Sequence, residues 1–254
     1  DKENIRQGNA LIAIKDSQNT ILWSWHIWIT DENIYHTIKV TNHQNVSHDL
    51  MPIHLGWCEG EVINYAARSC QVQFIAHGQT RLITVNQMRS TTSTQGNCTF
   101  YEWGRKDPLR PSSGYAYKNK TWYNAAGIAS TANHAVESFP FGNECIKNYI
   151  RKPDVMQKEI GGDNTYFNLW NADNNTNSNV YNDNPVTKTV YDPCPVGFAM
   201  PPSNTFTGFT TTGENVTNTV AKYNGEWNSS LPGWNFYCGP NKTGGTIFFP
   251  MTGE

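Results

Sequence analysis

The sequence predicts a β-rich α+β domain with short strands, few helices and long loops. Charged residues make up only 16% of the 254 residues, well below the usual quarter, and aromatic residues make up 13%. Asn, Thr, Ser and Gly fill the difference, and these residues favour turns between short strands over long helices. Two stretches also alternate between apolar and polar residues around a short turn, which is the pattern of a β-hairpin.

Length and charge restrict the organisation and the partners. The length suits one large domain, and we expect a single domain over 1–254 in which 61–90 is a hairpin insertion. The net charge is −2 without a block rich in Lys and Arg, so no nucleic-acid partner is expected. No apolar run of about 18 residues indicates a transmembrane segment. The chain begins with Asp1 and stops just after an apolar strand, so we expect a piece of a longer protein.

Two hairpins are the clearest secondary-structure signals. The first joins 10–14 to 21–30, and alternation separates Trp25 and Ile27 from His26 on the opposite face. His26 among tryptophans is interpreted as a core residue, with a ligand or base as the alternative. The second hairpin joins 70–76 to 81–85 around His-Gly-Gln.

Three further segments are assigned from local signals. We expect a short helix over 143–152, ended by Pro153, and a long polar loop over 205–235. The segment 191–202 contains four prolines, which exclude a helix interior or a central strand. It is predicted to form a rigid turn that points Val196, Phe198 and Met200 to one side.

Two groups of residues suggest metal sites, each with a simpler alternative. His43, His48 and His54 lie near Asp49, but their spacing matches no known ligand pattern, so loop histidines that form hydrogen bonds are preferred. Oxygen ligands for calcium could come from Asp163, Asp173 and Asp183. Solvated turns are the alternative, because the regular calcium-loop spacing is missing.

One charged segment could support acid–base chemistry. Glu102, Arg105 and Asp107 lie within six positions beside several aromatic residues. The preferred interpretation is a turn at the surface, held by ion pairs and ended by Pro108.

Five segments spread over most of the chain carry a family resemblance. Three of them are TVYDPCPVGF at 189–198, ILWSWHIW at 21–28 and YEWGRKDP at 101–108. These three resemble, in that order, the DPCPxGxxxP, LWSWHIW and YxWGRKDP signatures of fimbrillin-type surface proteins of the Bacteroides group. The other two, NLW at 168–170 and GGTIFFP at 244–250, lie in the order expected for that group. That group is similar to the Fibrobacter major paralogous domain, which itself resembles the C-type-lectin-like fold. The sequence CPVGFAMP at 194–201 resembles the CPxGWxxP segment of that domain.

The resemblance implies a C-type-lectin-like domain exported to the cell surface and associated with the outer membrane. Its expected role is adhesion or ligand binding, with a glycan or a host or bacterial surface protein as partner. One alternative is a structural fimbrial subunit or cap, with other fimbrial subunits as its partners. An enzyme of the formylglycine-generating type, which shares the fold, is a third alternative. It is not expected, because the paired catalytic cysteines near the C-terminus have no counterpart here. No cofactor is expected, although calcium stays open.

Export and an even number of cysteines imply disulfides, and buried free thiols are the alternative. The six cysteines lack the spacing of a zinc site. The first expected pair is Cys194–Cys238, which would close the long polar loop, and the second is Cys58–Cys70.

In the C-type-lectin-like fold, ligand sites favour the long loop region, which corresponds here to 205–235. Sugars bind where an aromatic face meets amide and carboxylate groups. The residues predicted to bind the ligand are Glu214, Asn224, Glu226, Trp227, Asn228 and Trp234, with Asn235 beside them. Packing of both tryptophans into the interior is the alternative.

Overall fold

The structure is a computed structural model, and strands dominate it. It describes residues 5–60, 62–93, 96–102, 104–110, 121–139, 143–159, 169–173, 181–215 and 219–251. Strands account for 43% of the structure and helices for 10%, which confirms the β-rich α+β class.

The strands form small antiparallel units with one parallel exception. The N-terminal strands are β1 (Gly8–Lys15), β2 (Ile21–Ile29), β3 (Ile38–Thr41), β4 (Ser47–Leu50), β5 (Val62–Tyr65), β6 (Arg68–Ala76), β7 (Gln79–Gln87) and β8 (Ser90–Ser93). They are followed by β9 (Trp122–Tyr123), β10 (Ala129–Ser130), β11 (Ala135–Phe139), helix α1 (Asn143–Arg151), β12 (Val155–Glu159), β13 (Gly225–Asn228), β14 (Gly233–Gly239) and β15 (Thr243–Pro250). Short 3₁₀ turns occupy Ser203–Phe209, Val220–Lys222 and Pro240–Lys242.

The first predicted hairpin is confirmed as β1–β2. Its register pairs Ile12 with Trp25 and Ala10 with Ile27, and Trp25 and Ile27 are 47% and 41% exposed. The opposite face turns inward and carries Ser24, which is buried, and His26, which is mostly buried. The hairpin therefore turns a mixed face of polar and apolar residues toward the body and an apolar face toward solvent.

Residues 62–93 form an arm that coincides with the hairpin predicted within 61–90. Strands β6 and β7 pair along their whole length, and the turn between them has positive φ at His77 and Gly78. Strands β5 and β8 extend the arm toward its base, where the backbones of Cys58 and Asn97 exchange two hydrogen bonds of 2.8 Å. Nearly every residue of the four strands is exposed.

The predicted helix is confirmed as α1. It connects the parallel strands β11 and β12, so these three elements form a β-α-β crossover. Cys145 and Tyr149, one helical turn apart, are its buried residues. The helix ends before Pro153, since proline cannot continue the hydrogen-bond ladder.

The main core lies on one face of the sheet β13-β14-β15. Ile247 of β15 and Cys238 of β14 pack there against Val40 of β3 and against Phe209, which a 3₁₀ turn supplies. The prediction of a long polar loop over 205–235 is therefore wrong in part. That segment supplies core residues and the whole edge strand β13, because its scattered aromatic residues pack on the sheet instead of forming a periodic pattern of their own.

The proline-rich segment is an anchored turn, as predicted. The buried carboxylate of Asp192 accepts hydrogen bonds from the backbone N–H groups of Cys194 (2.8 Å) and Met200 (2.9 Å). The prediction that Val196, Phe198 and Met200 point to one side is correct only in part. Phe198 and Met200 face a cavity, whereas Val196 is 86% exposed.

Candidate functional site

The two tryptophans predicted to bind a ligand are neighbours on the β13–β14 hairpin. Trp227 pairs with Trp234, and their ring centroids are 5.9 Å apart. Trp234 also packs against Tyr223 and Phe236, with centroid distances of 4.9 and 6.0 Å. Trp234 is thus part of the aromatic packing, while Trp227 is the outermost ring and is 45% exposed.

Strand alternation separates Trp227 from the polar groups next to it in the sequence. Glu226 pairs with Asn235 on the opposite face of the hairpin, and Asn228 points to that same side. The Glu226 carboxylate accepts a hydrogen bond of 2.6 Å from the hydroxyl of Tyr237. The predicted binding surface, in which Trp227 lies between Glu226 and Asn228, does not form, because these polar side chains and the ring are on opposite faces of the strand.

Asn224 is a structural residue, which corrects its assignment to the ligand site. Its side chain is fully buried. The amide donates to the carbonyls of Gly208 and Gly239 at 2.7 and 2.9 Å and accepts from the backbone N–H of Lys242 at 2.9 Å. All of its hydrogen-bonding capacity thus serves to join three loops.

The other two predicted polar residues also have partners within the chain. Glu214 forms an exposed ion pair with Lys222 at 2.8 Å. The side-chain oxygen of Asn228 accepts hydrogen bonds from the backbone N–H groups of Ser230 (3.1 Å) and Leu231 (3.0 Å). These bonds fix the turn between β13 and β14. Both remain near the surface but do not converge on Trp227.

The three histidines considered as metal ligands make separate hydrogen bonds, as the preferred interpretation predicted. His43 contacts the carbonyl of Thr210 at 2.9 Å, and His48 contacts the carboxylate of Asp183 at 3.1 Å. His54 contacts the carbonyl of Leu55. Within the described ranges, no three metal-ligating side chains come together.

Of the aspartates considered for calcium, Asp173 and Asp183 lie within the described residues. Asp163 lies outside the described residues, and Asp173 is exposed in a turn. Asp183 accepts from Asn204 at 2.8 Å and from Asn42 at 2.6 Å, besides His48. Partial burial opposes ionisation, but these hydrogen bonds lower the pKa of Asp183 below its usual value.

The segment predicted as a surface ion-pair turn is buried, which corrects that interpretation. Arg105 and Asp107 are each 1% exposed, and Lys106 is 8% exposed. The ammonium of Lys106 contacts the Asp107 carboxylate, which also accepts from the hydroxyl of Ser24 at 2.8 Å. Arg105 donates to two carbonyls, those of Val155 and Pro153. These charges bind β2 and β12 to the centre of the domain, and burial closes Arg105 and Asp107 to a substrate.

Cys58, Cys70, Cys194 and Cys238 are free thiols, so the disulfides Cys194–Cys238 and Cys58–Cys70 are not formed. Cys238 belongs to the buried core, whereas Cys194 lies in a cavity wall. Cys70 is exposed on the arm and Cys58 lies at its base. Burial raises the pKa of Cys194 to about 12 and that of Cys58 to about 11.

A cavity of about 370 Å³ that was not predicted from the sequence lies between β4, the proline-rich segment and β15. Its walls are mainly apolar and include Leu50, Met51, Phe198, Met200, Phe206 and Phe249. His54, Tyr101, Cys194 and Asp49 supply its polar side chains. Only the predicted shared orientation of Phe198 and Met200 pointed to it in the sequence.

Hydrogen bonds fix the protonation of Tyr101, which lines the cavity, and of His26, which is its hydrogen-bond partner. His26 Nε2 lies 2.8 Å from the side-chain oxygen of Asn9, whose amide nitrogen donates to the carbonyl of Gly56. The Asn9 oxygen can only accept, so His26 Nε2 carries the proton, and Tyr101 donates its hydroxyl proton to His26 Nδ1. Burial lowers the pKa of His26 to about 4, which keeps the ring neutral.

A cysteine and a histidine lie close together beside the cavity, but not in a catalytic arrangement. His54 Nδ1 is 3.1 Å from Cys98 Sγ and 2.9 Å from the carbonyl of Leu55. Since a carbonyl only accepts, Nδ1 carries a proton and cannot take one from the thiol. Burial raises the pKa of Cys98 well above its usual value, and the residue is 1% exposed. This pair therefore gives no support to the enzyme alternative.

No family model, curated protein or solved structure matches the chain. Within the described residues, no helix is both long and apolar enough to cross a membrane.

Proposed function

We propose that this chain is a cell-surface module of the fimbrillin type with a C-type-lectin-like fold, and that it binds protein through the arm. The family, the fold name and the location follow from the resemblance of 189–198, 21–28 and 101–108 to the family signatures. The observation that supports protein binding is the exposed apolar face of the arm.

That face is built by the register of the β6–β7 hairpin. Val72 pairs with Ile83 and Cys70 with Val85, and Phe74 lies beside them on the same side. Val72 is 38% exposed, Ile83 and Phe74 are each 53% exposed, and Val85 is 51% exposed. The opposite face carries Ser, Gln, Thr and Asn, with two apolar residues, Ile75 and Leu82, near the tip. An exposed apolar face of this kind marks a protein interaction surface, and it favours a protein over a glycan as the partner.

The charges and a second exposed apolar face favour another copy of this chain as that partner. The arm contains Arg68, Arg81 and Arg89 and no acidic residue, in a chain whose net charge is −2. The rest of the chain is therefore acidic. The outer face of β1–β2 is also apolar and exposed, and Asp31 and Glu32 lie just after the end of β2. Packing of the arm of one copy on the β1–β2 hairpin of the next copy is a heterologous contact, because two different surfaces meet. Repetition of such a contact builds open chains of subunits when the arrangement does not close into a ring. This arrangement corresponds to the fimbrial-subunit alternative.

Light scattering during size-exclusion chromatography tests the proposal. We expect the wild type to associate as its concentration rises, and the variant Val72→Lys/Ile83→Lys to remain monomeric. The matched control Gln71→Lys/Thr84→Lys adds the same charge to the same strands on the polar face, and it should associate like the wild type.

Two results would decide against self-association. If the wild type stays monomeric up to millimolar concentration, the second copy is not the occupant of the arm. If the polar-face control loses association as fully as the apolar-face variant, added charge rather than the apolar face is responsible.

Glycan adhesion is a second candidate, favoured by the 45% exposed ring of Trp227 at the edge of the sheet. A glycan array with and without calcium tests it. Trp227→Ala should abolish any saturable binding, while the apolar-face variant of the arm should bind normally. Binding that survives Trp227→Ala would place the glycan elsewhere.

A further inference from the structure

The cavity beside the proline-rich segment is not used by the arm and is shaped for a small molecule. Its volume of about 370 Å³ lies within the range of ligand sites, roughly 300–1,000 Å³. Proline fixes the backbone of one wall, and the carboxylate of Asp192 ties that wall together. The site is therefore largely formed before a ligand arrives.

The walls select for an alkyl chain. Leu50 and Met51 come from one side, Phe198 and Met200 from the proline-rich segment, and Phe249 from β15. One water-sized group takes about 30 Å³, so the cavity accommodates roughly a dozen non-hydrogen atoms. Each methylene group buried there tightens binding about fourfold.

The charges around the cavity select against an anion. Among the described residues that line it, none is Lys or Arg, and Asp49 is the only one that carries a charge. A carboxylate would lose its hydration without gaining a cation in return, and Asp49 would repel it.

The polar side chains accept hydrogen bonds instead of donating them. The Nδ1 proton of His54 is used by the carbonyl of Leu55, so Nε2 on the opposite edge of the ring has only a lone pair. The hydroxyl proton of Tyr101 is used by His26, so its oxygen also offers lone pairs. A complementary ligand needs a group that donates a hydrogen bond.

We propose that the cavity binds an amphiphile with an alkyl chain of about ten carbons and a hydrogen-bond-donating head, either an alcohol or a primary amine. The chain fills the space between Met51, Phe198, Met200 and Phe249. The head donates to His54 Nε2 or to the oxygen of Tyr101. Asp49 at the rim adds attraction for the charged amine.

Calorimetric titration of the wild type with a series of straight-chain alcohols is the first test. We expect one site, with the affinity rising about fourfold per carbon from hexan-1-ol to about decan-1-ol and then levelling off as the cavity is filled. Decylamine should bind at least as tightly as decan-1-ol, and decanoate at pH 7.5 should bind at least tenfold more weakly. Absence of saturable binding by decan-1-ol, or equal binding of decanoate, overturns the proposal.

A matched pair of substitutions locates the site. Met200→Trp fills the cavity and should reduce the affinity for decan-1-ol at least tenfold. Met88→Trp makes the same change on the arm, where the side chain is 80% exposed, and should leave the affinity unchanged. Equal loss in both variants, or binding that survives in Met200→Trp, contradicts the assignment. If Met200→Trp does not fold, the chain-length and head-group series on the wild type decides the question alone.

Discussion

The arm and the C-terminal sheet are both antiparallel ladders of alternating residues, yet their surroundings are opposite. In the arm, Val72 and Ile83 share a face that solvent reaches. In the sheet, Phe236, Ile247 and Phe249 share a face that Phe209 covers, and the ring centroid of Phe209 lies 5.0 Å from that of Phe236 and 5.2 Å from that of Phe249. Alternation therefore sets which side chains share a face, while burial depends on whether another segment packs on that face.

The largest expected effect is a contrast between two phenylalanines. Phe209→Ala should destabilise the protein by about 4 kcal/mol, because it leaves a void among several packed rings. Phe74→Ala in the arm should change the free energy of unfolding by less than about 0.5 kcal/mol, since the ring is 53% exposed. Urea denaturation of both variants measures the difference.

A large loss of stability in Phe74→Ala would show that the apolar face of the arm is covered in solution. Because a second copy is the proposed cover, this loss would then have to depend on protein concentration. A loss independent of concentration would contradict both the exposed arm and its proposed partner.

The parts that were predictable from sequence are those with local causes. The two hairpins follow from alternation around short turns, and α1 follows from its apolar spacing and from Pro153. Burial of Arg105 and Asp107 was not predictable, since it depends on carbonyls and hydroxyls supplied by β2 and β12, far away in the sequence. A sequence with several charged residues before a proline predicts a surface turn, and only the tertiary partners in β2 and β12 show that these residues are buried.

The candidate sites show the same division. The exposed edge position of Trp227 could be proposed from its sequence, but its separation from Glu226 depends on β13 being a strand. The cavity joins β4, the proline-rich segment and β15, which are more than 100 residues apart at the extremes. No local pattern records that such segments meet.

The buried ion pair should be nearly as important as the aromatic core. Asp107→Ala leaves the ammonium of Lys106 buried without its carboxylate and should cost about 3–4 kcal/mol. The exposed pair Glu144–Lys147 on α1 is the control, and Glu144→Ala should cost less than about 0.5 kcal/mol. A third variant, Asp107→Leu/Lys106→Met, removes both charges and should be more stable than Asp107→Ala. If it is not, the loss comes from packing and not from the unpaired charge.

Acid should destabilise the body through His26. Its pKa is about 4 in the folded protein and about 6.5 when unfolded, so the unfolded chain binds more protons between these values. Stability is complete above about pH 6.5 and is lost as the pH falls toward 4, by about 3 kcal/mol in total. Denaturation at several pH values should show this slope in the wild type and a smaller slope in His26→Asn. His77→Asn at the tip of the arm should keep the slope of the wild type, and Asn tolerates the positive φ there. An equal slope in all three proteins would assign the acid sensitivity to other groups.

The smallest effect on stability is expected at Cys70, where the arm and the body differ in reactivity instead. Cys70→Ser should change the free energy of unfolding by less than about 0.5 kcal/mol, because the thiol is exposed and unpaired.

In native protein at pH 8, iodoacetamide should label Cys70 first. Cys58 and Cys194 should react much more slowly, since burial raises the pKa of both thiols and thereby removes the reactive thiolate. Cys98, Cys145 and Cys238 are buried and should be labelled only after unfolding. Mass spectrometry of peptides after timed alkylation, with and without prior reduction, measures this order. Labelling of Cys70 that requires reduction would show that it is in a disulfide, and slow labelling without any disulfide would show that the apolar face of the arm is covered.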